Sequence, residues 1–467
     1  MDTAPADMSE RAVDEGQVHD AIVVGAGIGG LTAAYGLRGR DVLVLEREPR
    51  LGGRIRSEPR EPYWLNVGAH VFGGADSATG RLLDDTGIEA APVPGHLAAL
   101  ELRGKVVAGG RPELFPLRLP LTRDERLALV RTGARLRLAV ARYARLARHR
   151  PGETPAETER RVLAYGDDRS FADWLGEVPP VVDSIFRATV TRSTAEPEEL
   201  SFGHGAGYFA LVWSAGAGLS SNILGGASRL IEAMAGELGR RVLPGAEAID
   251  VAVDDDLVRV RVTDARGERE LRARHVVMAA KAFETTALVS SGLRAETRAA
   301  LEAIPYGPTL VMGVITGERG PMPWDDVYAL ATPLRSFSML FNIANVLRER
   351  TRERQPGGSL MMYRSAHAAT EMFDRSDAEI ERSFLDDLYA IYPEARGIVR
   401  ETLLLRMPRM LPYVAPGRAA LQPALERPLG RLHLAGDYLG SSYTDTAVQS
   451  GQDAALAIRA ALDAGRR

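Results

Sequence analysis

The segment AIVVGAGIGGLTAAYGLRGRDVLVLEREPRLGGRIRS, residues 21–57, restricts the chain more than any other feature. Ala21 to Val24 reads as a buried strand, Gly30 to Leu37 as a helix, and Asp41 to Glu46 as a second strand, which makes a βαβ unit. Gly25, Gly27 and Gly30 form G-x-G-x-x-G between the first strand and the helix. The first glycine permits a tight turn, the second lets backbone approach a pyrophosphate, and the third lets helix and strand pack closely. The helix N-terminus adds unpaired N–H groups and a partial positive charge. Glu46 closes the second strand 21 residues after Gly25, where an acid that binds ribose hydroxyls belongs. A carboxylate there repels a 2′-phosphate, which argues against NADP. A doubly wound parallel sheet is expected to complete the domain.

NAD and FAD both satisfy these features. The residues after Glu46 separate them: EREPRLGGRIRS offers a second close approach at Gly52, Gly53 and Arg54, for which NAD folds have no use. Further on, residues 241–280 read as a β-meander that returns to a buried strand at Val276–Ala280, and residues 431–465 read as strand, loop and helix. Three separated segments have α/β character, and the stretches between them are richer in helix signals. The expected architecture is α/β: a discontinuous Rossmann-like FAD-binding domain carrying an inserted α+β substrate domain. The cofactor domain takes residues 19–80, 220–290 and 425–467; the substrate domain takes a helix-rich 81–219 and then 291–424; residues 1–18 form a flexible, polar lead.

With no cysteine, the chain has no disulfides, thiolate metal sites, cysteine nucleophiles or cysteinyl flavin link, and no metal site is expected. A net charge of -4 gives no general case for nucleic acid, and no apolar run reaches the roughly 18 residues a membrane span needs. The N-terminus lacks the basic-plus-apolar form of a signal peptide, so a cytoplasmic location is expected. Residues 126–148 have helical periodicity, with Leu129, Leu136, Val140, Tyr143 and Leu146 on one side and Arg131, Arg135, Arg142 and Arg145 opposite. Core packing with a solvated arginine face is favoured there over peripheral membrane or partner contact.

The GGR element, LAGD (434–437) and AVQSG (447–451), in that order, resemble the flavin amine oxidase superfamily, which includes protoporphyrinogen oxidases, monoamine oxidases, phytoene desaturases and UDP-galactopyranose mutases. RSFADWL (169–175), AEPEELS (195–201), GGASRLIEAM (225–234) and MLPYVAPGR (410–418) extend the resemblance to protoporphyrinogen-oxidase-like proteins over most of the chain. The resemblance implies a non-covalent FAD. It places the pyrophosphate along Gly25, Gly27, Ile28, Gly29 and Gly30, the ribose at Glu46, with Arg47 among the cofactor-binding residues, and the cofactor's length along Gly53 and Arg54. It brings Gly68 and Ala69 past the flavin ring and gives Ala246 a backbone contact to the adenine. Gly436 and Asp437 take the ribityl chain, and the helix opening at Ala447 and Val448 points its N-terminus at the flavin pyrimidine, where it stabilises the negative region of the reduced ring.

Two residues are candidates for chemistry. His70, in a G-x-H segment beside the flavin, either hydrogen-bonds flavin or substrate and moves a proton, or is a satisfied structural histidine. Tyr443, four residues before Ala447, matches one of two aromatic walls that sandwich the amine in monoamine-oxidase-like members, or else its hydroxyl pins the loop. The second wall, near Met410, is not aromatic. The lysine that holds a water at flavin N5 in those enzymes is replaced near Val311, and neither Lys105 nor Lys281 stands in that strand. Arg54 lies over the flavin, forks onto a substrate carboxylate, or is a surface arginine. His204, in SFGHGAGY, is a further candidate to line the pocket.

No second dinucleotide motif is present, so electrons should enter the flavin from an organic substrate. The expected reaction is oxidation of a small molecule, at a C–N or C–C bond, by hydride transfer to flavin N5, with O2 or another acceptor taking the electrons. The alternative is a redox-neutral mutase or isomerase on the same scaffold.

Overall fold

The computed structural model describes residues 17–465 except 94–98, 214–218 and 352. The expected flexible lead lies almost wholly outside the described residues, and the first strand already begins at Val18.

The opening unit forms as β1 (Val18–Val24), α1 (Ile28–Gly36) and β2 (Val42–Glu46). β1 pairs parallel with β2 on one side and with the strand Gly267–Met278 on the other. Both faces of β1 are buried, which explains its unbroken apolar run. Ala21 and Val23 pack towards α1 and the last helix, while Ile22 and Val24 pack against Val260 and Met278 on the opposite face. The expected parallel sheet forms the core, and the meander joins it, so that the eight-stranded sheet as a whole is mixed. Val242–Pro244, β2, β1, the C-terminal half of Gly267–Met278 and Leu432–Leu434 run parallel, whereas Val258–Asp264 pairs antiparallel with both the N-terminal half of Gly267–Met278 and Glu247–Val253. The Asp-rich and Arg-Gly turns allow these tight antiparallel returns.

A second sheet of seven strands is built mostly from residues 306–412, with the hairpin Ala99–Leu102/Lys105–Ala108 at one edge. Its long strand Tyr306–Thr316, next to the edge, pairs antiparallel with Gly358–Ser365 and with the edge strand Val399–Pro412. Side chains alternate across a pleated strand. Leu310, Met312, Val314, Leu360 and Met362 therefore pack with Phe384 and Leu388 of the backing helix Asp377–Ile391. Thr309, Val311, Met361, Tyr363 and Ser365 point the other way, into a cavity.

A helical layer stands over that cavity. The helix Arg123–Ala147 starts at a capping box, Thr122 with Glu125, and buries Leu129, Leu136 and Val140 among Phe171, Phe186 and Phe209. Its arginines are not simply solvated, because Arg135 and Arg142 lie over the rings of Trp174 and Tyr165 at 4.7 and 5.7 Å. Leu127, Val130 and Leu138 are exposed. Among the described residues no helix is long and apolar enough to cross a membrane.

Candidate flavin and substrate site

The chain's glycine turn opens a cavity of about 860 Å³ that runs from β1 and β2 to the inner face of the second sheet. Gly25 adopts φ +104, and a Cβ on it would sit 2.9 Å from the carbonyl oxygen of Ala279. A Cβ on Gly30 would sit 2.0 Å from the carbonyl oxygen of Gly25, so helix and strand could not approach as they do. Gly27, at φ -70, has no protein atom within 4 Å of where its Cβ would be: it faces the cavity. Glu46 accepts hydrogen bonds from the backbone N–H of Ala26 (2.8 Å) and of Glu48 (3.0 Å), which fixes its carboxylate at the cavity edge.

At the far end of this trough Arg54 donates twice to Asp437, at 2.5 and 2.9 Å, and once to the carbonyl of Met410 at 3.1 Å. Burial works against the Arg54 charge, but Asp437 outweighs it and raises the guanidinium's pKa. The surface-arginine alternative is thereby corrected. The helix Thr444–Ala464 begins beside this pair, with Tyr443 at its N-cap and Ala447 on the cavity wall. Thr446, where the resembled superfamily usually has glycine, still donates its N–H to the carbonyl of Tyr443 at 3.1 Å, so the first turn forms.

The cavity brings together Gly25, Gly27, Ile28, Gly29, Glu46, Arg47, Gly53 and Arg54 with Gly68, Ala69, His70, Ala246, Gly436, Asp437, Tyr443 and Ala447. Two expected contact residues are not in its wall. Gly30 is taken up by packing against Gly25, and Val448 is fully buried in the core beneath the sheet. His204 is likewise set back, its ring packed 5.3 Å from Tyr208 and 5.8 Å from Tyr443.

The substrate end is aromatic and apolar. Tyr443 and Tyr208 stand 6.0 Å apart, and burial pushes the Tyr443 hydroxyl up to about 12. Among the described residues that hydroxyl makes no hydrogen bond, and Tyr443 lines the cavity. Met410 does line the cavity, and the facing aromatic surface comes from Phe341 and Tyr363, stacked at 5.8 Å. Val311 stands between Tyr363 and Leu405 across the sheet. Lys281 also reaches the cavity, though from the corner after Gly267–Met278 and next to Arg54, not from the Val311 strand.

His70 packs edge-on to Phe341 at 4.6 Å, and burial lowers its pKa to about 4, so the ring is neutral near pH 7. Its Nδ1 lies 3.3 Å from the carbonyl of Gly68, which fits a proton on Nδ1. Nε2 is then a buried acceptor, and it has no partner among the described residues.

Arg192 also lines the cavity, and nothing in the sequence singled it out; it lies three residues before the AEPEELS segment. Phe341 and Tyr363 carried no sequence signal either. The alternating pattern of the strand GSLMMYRS shows that it has two faces, but not which face meets a ligand.

A glycine turn at the end of a parallel strand, an oriented glutamate and a cavity that reaches an aromatic cleft together make the architecture of a nucleotide-binding α/β protein. The match to the flavin containing amine oxidoreductase family model extends over residues 28–459, and the chain belongs to that family. It is 30% identical over 268 residues to an L-amino acid dehydrogenase of Synechocystis sp., a match spanning 53% of each chain. It is 44% identical over 68 residues to protoporphyrinogen oxidase 2 of Arabidopsis thaliana, 14% of this chain and 13% of that protein. The chain thus aligns with about half or less of the length of these relatives. Among solved structures, cyclohexylamine oxidase from Brevibacterium oxydans superposes with a TM-score of 0.74 at 22% identity, covering 96% of this chain and all of that one. That likeness concerns the fold.

Proposed function

We propose that the chain holds one FAD without a covalent link and oxidises a small organic substrate at a C–N or C–C bond, handing the electrons to O2 or another acceptor. The observation that carries this reading is continuity: one cavity joins the Gly25–Gly27 turn to the cleft at Tyr443, Phe341 and Tyr363. Its cofactor half fits FAD through Gly27, the open face of the turn; Glu46, an oriented acceptor; Asp437, a buried carboxylate; and the N-terminus of Thr444–Ala464, a positive dipole end.

A flavin bound there supplies the hydride acceptor. The chain's own residues do the rest. Tyr443, Tyr208 and Phe341 confine the substrate and exclude water, which aligns the reacting C–H bond. Neutral His70 offers Nε2 as an acceptor for a substrate N–H or O–H, or for its proton. The Arg54–Asp437 pair fixes the wall between the two halves of the site.

Acid precipitation tests the link: yellow supernatant is expected, and flavin retained in the pellet would contradict it. Anaerobic mixing with amines, amino acids and cyclic apolar compounds should bleach the flavin absorbance. Activity that appears only after dithionite reduction, with no net substrate oxidation, would replace the oxidase reading by the mutase one.

A further inference from the structure

Arg187 and Arg192 lie five residues apart and are treated differently by the fold. Arg187 is surrounded by carboxylates: Asp183 at 3.0 Å, Glu196 at 2.7 Å and Glu198 at 2.8 Å. Glu199, the remaining acid nearby, faces His367 at 3.3 Å. Arg192 has no carboxylate within 4.0 Å among the described residues, although it lines the cavity on the substrate side. A guanidinium has five N–H donors, and its preferred partner is a carboxylate gripped by two parallel hydrogen bonds.

The position is built, not incidental. Arg192 sits in the short turn Thr191–Ser193 that ends the helix Pro180–Val190. The next residue but one, Thr194, has φ +69, a left-handed conformation that a β-branched residue avoids. That strained residue is pinned: its N–H donates to the carbonyl of Thr191 at 2.9 Å and its hydroxyl to the carbonyl of Leu411 at 3.2 Å. Its carbonyl oxygen lies 1.9 Å from where a Cβ on Gly307 would be, so the cavity strand closes tightly on the turn. Strain kept in place by such contacts points to a positional requirement. The Arg192 charge bears on His70, Tyr208, Tyr328 and Tyr443, at or beside the cleft, and its polar neighbour there is the Tyr363 hydroxyl, which leaves the guanidinium's charge without a carboxylate to balance it.

We infer that Arg192 docks a carboxylate of the substrate, so that the compound oxidised is a small organic acid, such as an amino acid, with an apolar body lying against Phe341, Met361 and Leu405. This rests on the oxidase reading and narrows it. The same positive charge disfavours an alkyl diamine, whose ammonium groups would meet an unneutralised guanidinium.

The test uses the purified protein and two probes, phenylacetate and L-phenylalanine, with 2-phenylethylamine as the carboxylate-free match. Titration calorimetry should show saturable binding of both acids. Arg192→Gln should weaken this binding at least about tenfold, as expected for loss of a charge-assisted pair, with Arg192→Lys retaining part of it. Flavin content by acid release and the thermal midpoint should stay at wild-type values. Absence of acid binding in the wild type, or equal binding in Arg192→Gln, overturns the carboxylate site; so does flavin bleaching by 2-phenylethylamine faster than by L-phenylalanine and indifferent to Arg192. A protein that takes up no FAD when it is supplied, yet binds the acids through Arg192, would leave the carboxylate site standing and refute the oxidase reading alone.

Discussion

Adding one methyl group to either of two neighbouring glycines separates folding from cofactor binding. In Gly30→Ala the new Cβ would lie 2.0 Å from a backbone oxygen, about 1 Å inside the closest approach that real Cβ atoms make. That oxygen belongs to the β1–α1 turn and cannot rotate away, so α1 must shift outward. Overpacking of this kind costs about 1–3 kcal/mol, partly offset by the roughly 1 kcal/mol that alanine gains over glycine inside a helix. In Gly27→Ala the Cβ meets no protein atom within 4 Å, and φ -70 suits any residue. The apoprotein should therefore keep its stability to within about 1 kcal/mol, because the lost glycine cap and the stiffer unfolded chain act in opposite directions. The methyl instead projects to where backbone must approach the pyrophosphate, and a displacement of about 1 Å there should weaken flavin binding on the order of 100-fold. Thermal midpoints of the deflavinated variants and flavin affinity by fluorescence quenching give both quantities. Wild-type flavin affinity in Gly27→Ala, or an unchanged apoprotein midpoint in Gly30→Ala, would refute the assignment of the two glycines.

Tyr443→Phe should keep flavin reduction near wild type, because the hydroxyl makes no hydrogen bond among the described residues, whereas Tyr443→Ala should slow it roughly tenfold or more with flavin still bound; rapid-mixing absorbance checks this, and equal losses in both would refute the wall. Glu46→Lys removes the carboxylate that accepts from two backbone N–H groups and places a cation where ribose hydroxyls need an acceptor, so the purified protein should contain little flavin. His70 and His204 are held near pKa 4 by burial, below the ordinary 6.5, so the unfolded chain binds more protons between those values. Their contribution to stability is complete above about pH 6.5 and is lost as pH falls towards 4, on the order of 2 kcal/mol each by pH 5. His204→Phe should flatten the fall in thermal midpoint between pH 7 and pH 5, and an unchanged slope would contradict the burial of a neutral ring.

The features legible in the sequence were local. Each glycine of the turn answers a demand set within a few residues, and Glu46 stands at a distance fixed by one helix and one strand. The capping box at Thr122 and Glu125 has the same local character, and it moves the helix start ahead of residue 126. The hidden features depend on two distant segments meeting. Position 410 indicated only that an aromatic was missing; the rings that face the cleft come from Phe341 and Tyr363 on other strands. Nothing local separates Arg192 from Arg187, because what separates them is which carboxylates the folded helix and the loop after it bring within reach. The meander itself was legible; what the sequence did not show is that a single strand, Gly267–Met278, serves as its antiparallel arm at one end and pairs parallel with β1 along its second half.

The strict alternation of Tyr306–Thr316 has a consequence for how such an enzyme changes over time. Thr309 and Val311 line the cavity, while Leu310 and Met312 meet the backing helix. Substitutions at the first pair alter what fits the cleft and leave the packed layer untouched, so the strand carries two nearly independent sets of mutable positions. A lineage built on this sheet can exchange substrates by single replacements at every second residue without first acquiring a compensating stabiliser. An insertion of one residue, by contrast, would exchange the two sets at once, so length in this strand should be far more constrained than identity.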